Sequence, residues 1–200
     1  MQDRRLIGYS IAASAMAAGS AGAEIQNVGT FIIEGSTGNP AFSSFGGSID
    51  LNGNGSDNFS VFGYINFDQD SGYVAISPWP DNYVVNELVA GGYLVSSFSP
   101  GDVIDGDLAF GGYSHLFVRD WSSFEQDYEA FLNQRGFFGF AIPGADEGID
   151  FACVDIQVNL KGSVFSAEIR GGLINTESGE AVTCPDFPDG ILADRFEEAD

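Results

Sequence analysis

Apolar and polar positions alternate most regularly between Gly136 and Gly171, where the chain reads GFFGFAIPGADEGIDFACVDIQVNLKGSVFSAEIRG. Ala152, Val154, Ile156, Val158 and Leu160 fall on one side of a two-residue period, and Asp155, Gln157 and Asn159 on the other. That period is imposed by a strand with one buried face. Phe165, Ala167 and Ile169 repeat it against Ser166, Glu168 and Arg170. Three strands are predicted here, Phe137–Ile142, Phe151–Leu160 and Val164–Arg170, with Lys161-Gly162-Ser163 closing the second hairpin.

Shorter runs of the same kind precede them. Thr30–Ile33, Gly47–Leu51, Asn58–Phe67, Tyr73–Ser77, Tyr83–Val89, Tyr93–Ser96, Val103–Ile104, Leu108–Phe110 and His115–Val118 read as strands, separated by Gly, Pro, Asn and Asp. Asn58–Phe67 carries apolar groups on both faces, which suits a central strand covered on both sides. Leu173–Asn175 is expected as a last strand. Between Asp120 and Gln134 the period changes: Trp121, Phe124, Tyr128, Phe131 and Leu132 are spaced by three and four, and Ser122 with Glu125 can form a capping box. One short helix is expected there, closing an end of the sandwich, with an irregular loop as the alternative. The predicted class is all-β, an antiparallel, jelly-roll-like β-sandwich with that one helix.

The chain's 200 residues divide into three parts. Residues 1–23 read as a secretory signal: Arg4-Arg5, a weakly apolar Leu6–Gly19, and the small-residue cleavage site Ala21-Gly22-Ala23. The doubled Arg also permits twin-arginine export. Residues 24–188 form the β-domain, and 189–200 an acidic tail. No segment of the exported part is long and apolar enough for a membrane-spanning helix. The net charge of the whole chain is −22, and loss of Arg4, Arg5 and Asp3 makes it one unit more negative. Such a surface repels nucleic acid and anionic membranes. Both cysteines, Cys153 and Cys184, lie in the exported part and are expected to form one disulfide. Strand parity puts Cys153 on the polar side of its strand, so the bond is expected across the outside of the sheet or at its edge.

The sharpest local motif is Asp50-Leu51-Asn52-Gly53-Asn54-Gly55-Ser56-Asp57-Asn58. Oxygen-bearing side chains alternate and Gly55 takes the sixth position, as at the start of a calcium loop. Asp50, Asn52, Asn54, Ser56 and Asn58 are the candidate metal ligands. The twelfth position is Val61 rather than Glu, and carboxylates are few, so calcium affinity should be weak. A Gly/Asn turn without metal accounts for the same residues. Trp79, between Pro78 and Pro80, and Trp121 are the ligand-stacking candidates, with packing at the core edge as the alternative role.

Catalytic arrangements are poor. Ser114 and His115 are neighbours on one strand, so they point to opposite faces and make a weak nucleophile–base pair. Asp146, Glu147, Asp150 and Asp155 could supply the two carboxylates of a glycosidase, but acids are frequent in this chain.

The Asp50–Phe59 loop, the Phe138-Gly139-Phe140 strand, the strand beginning Phe151-Ala152-Cys153 and the later Gly179-Glu180-Ala181 turn together resemble exported bacterial proteins of the PEP-CTERM-associated type. The resemblance implies a β-sandwich outside the cell with no established enzymatic activity. Two departures stand out. Cys153 replaces the usual Trp, consistent with a disulfide taking over from a packing aromatic, and the Pro-Glu-Pro sorting tail is absent. Asp189–Glu197 instead resembles a terminus found on other secreted Gram-negative proteins. The expected role is a non-catalytic, acidic, secreted component of a bacterial matrix or envelope, extracellular or periplasmic, with a weak calcium loop. The alternative is a carbohydrate-binding module that meets extracellular polysaccharide through exposed aromatics.

Overall fold

A computed structural model describes residues 25–28, 31–34, 36–39, 41–144, 147–161 and 164–186. The signal at 1–23, the tail at 189–200, the turn residues Gly162-Ser163 and Asp146 lie outside the described residues. In chain order the strands are β1 Ile25–Val28, β2 Phe31–Glu34, β3 Ser36–Asn39, β4 Phe42–Ile49, β5 Phe59–Asn66, β6 Ser71–Pro78, β7 Tyr83–Val89, β8 Gly92–Val95, β9 Val103–Ile104, β10 Phe110–Gly111, β11 Ser114–Arg119, β12 Arg135–Pro143, β13 Ile149–Lys161, β14 Val164–Asn175 and β15 Val182–Thr183. The fold is all-β.

One 13-stranded sheet carries most of them. Strands β4, β5 and β6 form one antiparallel meander; β12, β13 and β14 form another. Strand β7 joins the two. Its first residues, Tyr83 and Val84, pair with β12, while Asn86–Val89 pair with β8, which leads through β11 to β6. At the far side, β2 pairs with β14 and also lies against β4. The sheet therefore curls back on itself nearly as a barrel.

The interior of this roll is the main core. Phe59, Val61 and Ile65 of β5 meet Phe138, Phe140, Val154, Ile156 and Val158 from the opposite wall, all fully buried. The alternation read in Phe151–Leu160 thus points Ala152, Val154, Ile156 and Val158 inward, as expected. Gly63 lies beneath two core rings. A Cβ there would lie 2.7 Å from the Phe45 ring and 3.0 Å from Phe165, so no larger residue fits without moving a ring.

Strand β12 is apolar on both faces because a second, smaller core covers its other side. Phe137, Ala141, Phe151 and Cys153 pack there against Val85, Ile104, Val182 and Cys184, beneath the two-stranded β9–β15 sheet. Here the disulfide expectation needs correcting in part. Cys153 and Cys184 are bonded, and Cys153 does face away from the main core. That face is not the polar outside, however. Both sulfurs' residues are buried, and the bond ties the β9–β15 cover to β13.

The helix expected within 120–134 is also corrected, since the described residues contain none. Backbone groups that a helix would pair internally go to neighbouring strands instead. Tyr128 and Val118 exchange two N–H···O bonds of 2.8 Å, Val158 N–H donates to Phe131 O, and Asn133 N–H donates to Val158 O. The spacing of three and four arises because these side chains serve different surfaces. Phe131 enters the main core, with Tyr128, Ala130 and Leu132 packed against it. Trp121 and Phe124 lie on the outer face of the sheet, against Tyr73 and His115.

Candidate binding face and cation loop

Alternation along β4, β5 and β6 sends one set of side chains into the core and the other outward. Strand register assembles the outward set into four rows of three. These are Phe42–Asn66–Ser71, Ser44–Tyr64–Tyr73, Gly46–Phe62–Ala75 and Ser48–Ser60–Ser77. None of these positions carries a charge. Strand β11 extends the third row, because His115 pairs with Ala75.

The rings on this face touch one another in a continuous network. Trp121 sits 4.8 Å from Tyr73 and 6.3 Å from Tyr64, centroid to centroid, and Tyr64 stacks on Phe42 at 6.4 Å. On the other side, Phe62 contacts Tyr73 and Tyr113, and His115 contacts Tyr73, Tyr113 and Phe124. Most of these contacts are edge-on or tilted, the arrangement that ring quadrupoles favour. The face stays open: Phe42 is 40% and Tyr113 44% exposed, and Phe62, Tyr64, Tyr73 and Trp121 are half-buried. Strand Asn58–Phe67 was expected to be covered on both sides; in β5 the outer side has only this partial aromatic cover.

His115 is buried within the network. Its Nδ1 lies 3.3 Å from Tyr93 O, a contact that requires Nδ1–H, and its Nε2 lies 3.4 Å from the Tyr113 hydroxyl, which then donates to it. Burial pushes the imidazole pKa down from its ordinary value, against the Tyr93 carbonyl, which pulls it up. Burial also raises the Tyr113 phenol, with the nearby Tyr73 adding to it. Ser114 turns away from His115: its Oγ accepts from Asn86 Nδ2 at 2.7 Å and donates to Gly112 O at 3.1 Å.

The 50–58 loop lies at the end of β4 and β5. Both Asp50 carboxylate oxygens accept backbone N–H groups, from Gly53 at 2.8 Å and Gly55 at 2.7 Å. Asn52 Oδ1 accepts from Asn54 N–H at 3.3 Å, and Asn54 Oδ1 from Ser56 N–H at 2.8 Å. Gly53 and Gly55 take positive φ, 69° and 87°, where L side chains are disfavoured. Asp50, Asn52 and Asn54 are thus gathered on one tight loop, and each oxygen accepts a loop amide while keeping further acceptor capacity. Asn58 is different. It is buried, its Oδ1 accepts from Leu51 N–H at 2.7 Å, and its Nδ2 donates to Asn82 Oδ1 at 3.3 Å. It tethers the loop to the 79–82 turn. Among the described residues no three His, Cys, Asp or Glu side chains gather as a metal-binding group. A cation here would rely on one carboxylate and neutral oxygens, a donor set that fits weak binding of a hard ion.

The two tryptophans lie apart. Trp79, 47% exposed, follows β6 in the 79–82 turn, where its backbone N–H donates to Asn58 O at 2.9 Å. Trp121 belongs to the aromatic face. The strand periodicity puts Phe62 and Tyr64 on one side of β5, but Tyr73 joins them only through strand register, and Tyr113 and Phe124 only through tertiary packing.

The carboxylates considered for hydrolysis go to separate partners. Asp155, nearly buried, is bound by the Arg135 guanidinium. Asp150 accepts from Ser178 Oγ at 3.1 Å. Alternation along β13 points the two to opposite faces. Glu147 lines a shallow cleft of about 210 Å³ with Asp81, Tyr83, Pro143 and Ile149.

Comparison with family models, with curated proteins and with solved structures finds no match to this chain.

Proposed function

We propose that the chain is an exported, non-catalytic β-domain of a bacterial matrix or envelope, with a loop that takes up calcium weakly. In this reading the rolled sheet is a flattened, jelly-roll-like sandwich. The observation that carries it is the buried Cys153–Cys184 bond, which holds the cover of the second core. A structural disulfide of this kind belongs to an oxidising compartment. The secretory pattern of residues 1–23 and the charge of −22 agree with it.

The non-catalytic part is supported by the placement of the reactive groups. Ser114 and His115 bond to different partners, and Asp150 and Asp155 each serve the fold. The calcium part is supported by Asp50, Asn52 and Asn54 lying on one tight loop, where their side-chain oxygens accept loop amides.

Intact-mass analysis of the protein recovered from its own host tests the export claim. The expected mass lacks the first 23 residues and shows oxidised cysteines. Intracellular, full-length, reduced protein would contradict it. Calorimetric scans in millimolar calcium and in chelator test the loop: an upward shift with calcium, lost in Asp50→Asn, is expected. Identical transitions would remove calcium from the reading.

A further inference from the structure

We infer that the outer face of β4, β5 and β6, with Tyr113 and Trp121 at its border, is a binding surface for a neutral polysaccharide. The inference goes beyond the export and calcium reading and does not depend on it.

The first argument is electrostatic. The chain carries 29 acidic residues, yet the twelve outward positions of these strands, four on each, hold only aromatic, Ser, Asn, Gly and Ala residues. A charged ligand would find no counter-charge here. A second copy of this chain, or an anionic lipid surface, would also bring like charge against a molecule of net −22.

The second argument is chemical. An antiparallel sheet facing water ordinarily shows polar residues outward. Here the outward rows combine ring faces with hydroxyl groups. Phe62, Tyr64, Tyr73 and Trp121 form the contiguous aromatic part. Ser48, Ser60 and Ser77 form a hydroxyl row beside it, with Ser48 and Ser60 Oγ 3.1 Å apart. A pyranose has the matching character. Its C–H face lies against the electron-rich face of an aromatic ring, and its hydroxyls project sideways to hydrogen-bond partners. Open contiguous apolar surface of this kind marks an interaction site, and an open sheet face suits an extended polymer better than an enclosed small molecule.

The test is affinity electrophoresis of the oxidised protein, in chelator, through gels containing hydroxyethylcellulose, dextran, laminarin or galactomannan, with dextran sulfate as the charged control. At least one neutral polymer should retard the protein, and titration calorimetry should give the same affinity in 0.05 and 0.5 M salt, to within about twofold. Tyr113→Ala, an exposed position, and Ser60→Asp, which places a charge on the face, should each weaken binding about tenfold or more. Trp79→Ala, in the 79–82 turn beyond the end of β6, should weaken binding less than Tyr113→Ala does. Thermal unfolding checks that each variant is folded. Absence of retardation by every neutral polymer overturns the inference, as does native binding by both face variants. It is equally overturned if those variants abolish self-association, or flotation with phosphatidylglycerol vesicles, instead of glycan binding.

Discussion

His115 shows how a single residue's surroundings set its chemistry. Its ring is enclosed by Tyr73, Tyr113 and Phe124, and this burial favours the neutral form against the opposing pull of Tyr93 O, so the pKa lies below its unfolded value of 6.5. Stability from this group is therefore complete above pH 6.5 and is lost as pH falls through the lowered folded pKa. Relative to His115→Gln, the native protein should lose stability as pH is lowered from 7 to 5, by about 1.4 kcal/mol for each unit of pKa depression. Urea midpoints for both proteins across that range check it. A difference that stays constant with pH would show that the ring is not held neutral. In sequence, Ser114 and His115 read as a weak nucleophile–base pair, and the two side chains do bond to different partners. The aromatic neighbours of His115 were not legible, because they come from β6, the 112–113 turn and the 120–124 segment, which no local pattern joins.

Among the elements, the strands were far more legible than the segment between them. A two-residue period reports one buried face directly, and Val154, Ile156 and Val158 lie inside as that period requires. The 120–134 segment failed for an equally physical reason. Spacing of three and four records which residues are apolar, not which surface each will meet, and Trp121 and Phe131 meet opposite sides of the sheet. Tyr128 is the segment's anchor. Its hydroxyl donates to Val95 O, and its phenol pKa is pushed well up, first by burial and then by Glu87. Arg119 adds an ion pair to Glu129 on the segment, with Nε 2.7 Å from Oε1, and another to Asp70. Tyr128→Phe should destabilise the fold by about 1 kcal/mol, the net worth of one hydrogen bond. Removing Arg119's exposed partner Asp70 should cost less. Equilibrium unfolding of the two variants decides the order.

At the scale of the whole molecule, two cores share one wall. Strands β12 and β13 are buried on both faces, the inner by the roll and the outer by β9, β15 and the disulfide. The apolar run through Phe137–Ile142 hinted at this double burial, but the polar residues after Cys153 concealed it. Asp155 is covered because Arg135 neutralises it. Cys153→Ala/Cys184→Ala should lower stability by about 3–4 kcal/mol, since the bond closes a loop spanning 31 residues. Thermal melts with and without reductant measure it.

The surface that this architecture leaves uncovered is the outer side of β4–β6. Its uncharged rows needed register as well as periodicity to be seen, because only pairing places Ser44, Tyr64 and Tyr73 side by side. NMR titration of the isotopically labelled protein with the neutral polysaccharide that retards it tests this surface most directly. Shift changes should concentrate on Phe62, Tyr64, Tyr73, Tyr113 and Trp121 and spare Trp79 and residues 50–58. Changes centred on the 50–58 loop or on the Asp81–Glu147 cleft would contradict the assignment of binding to the aromatic face.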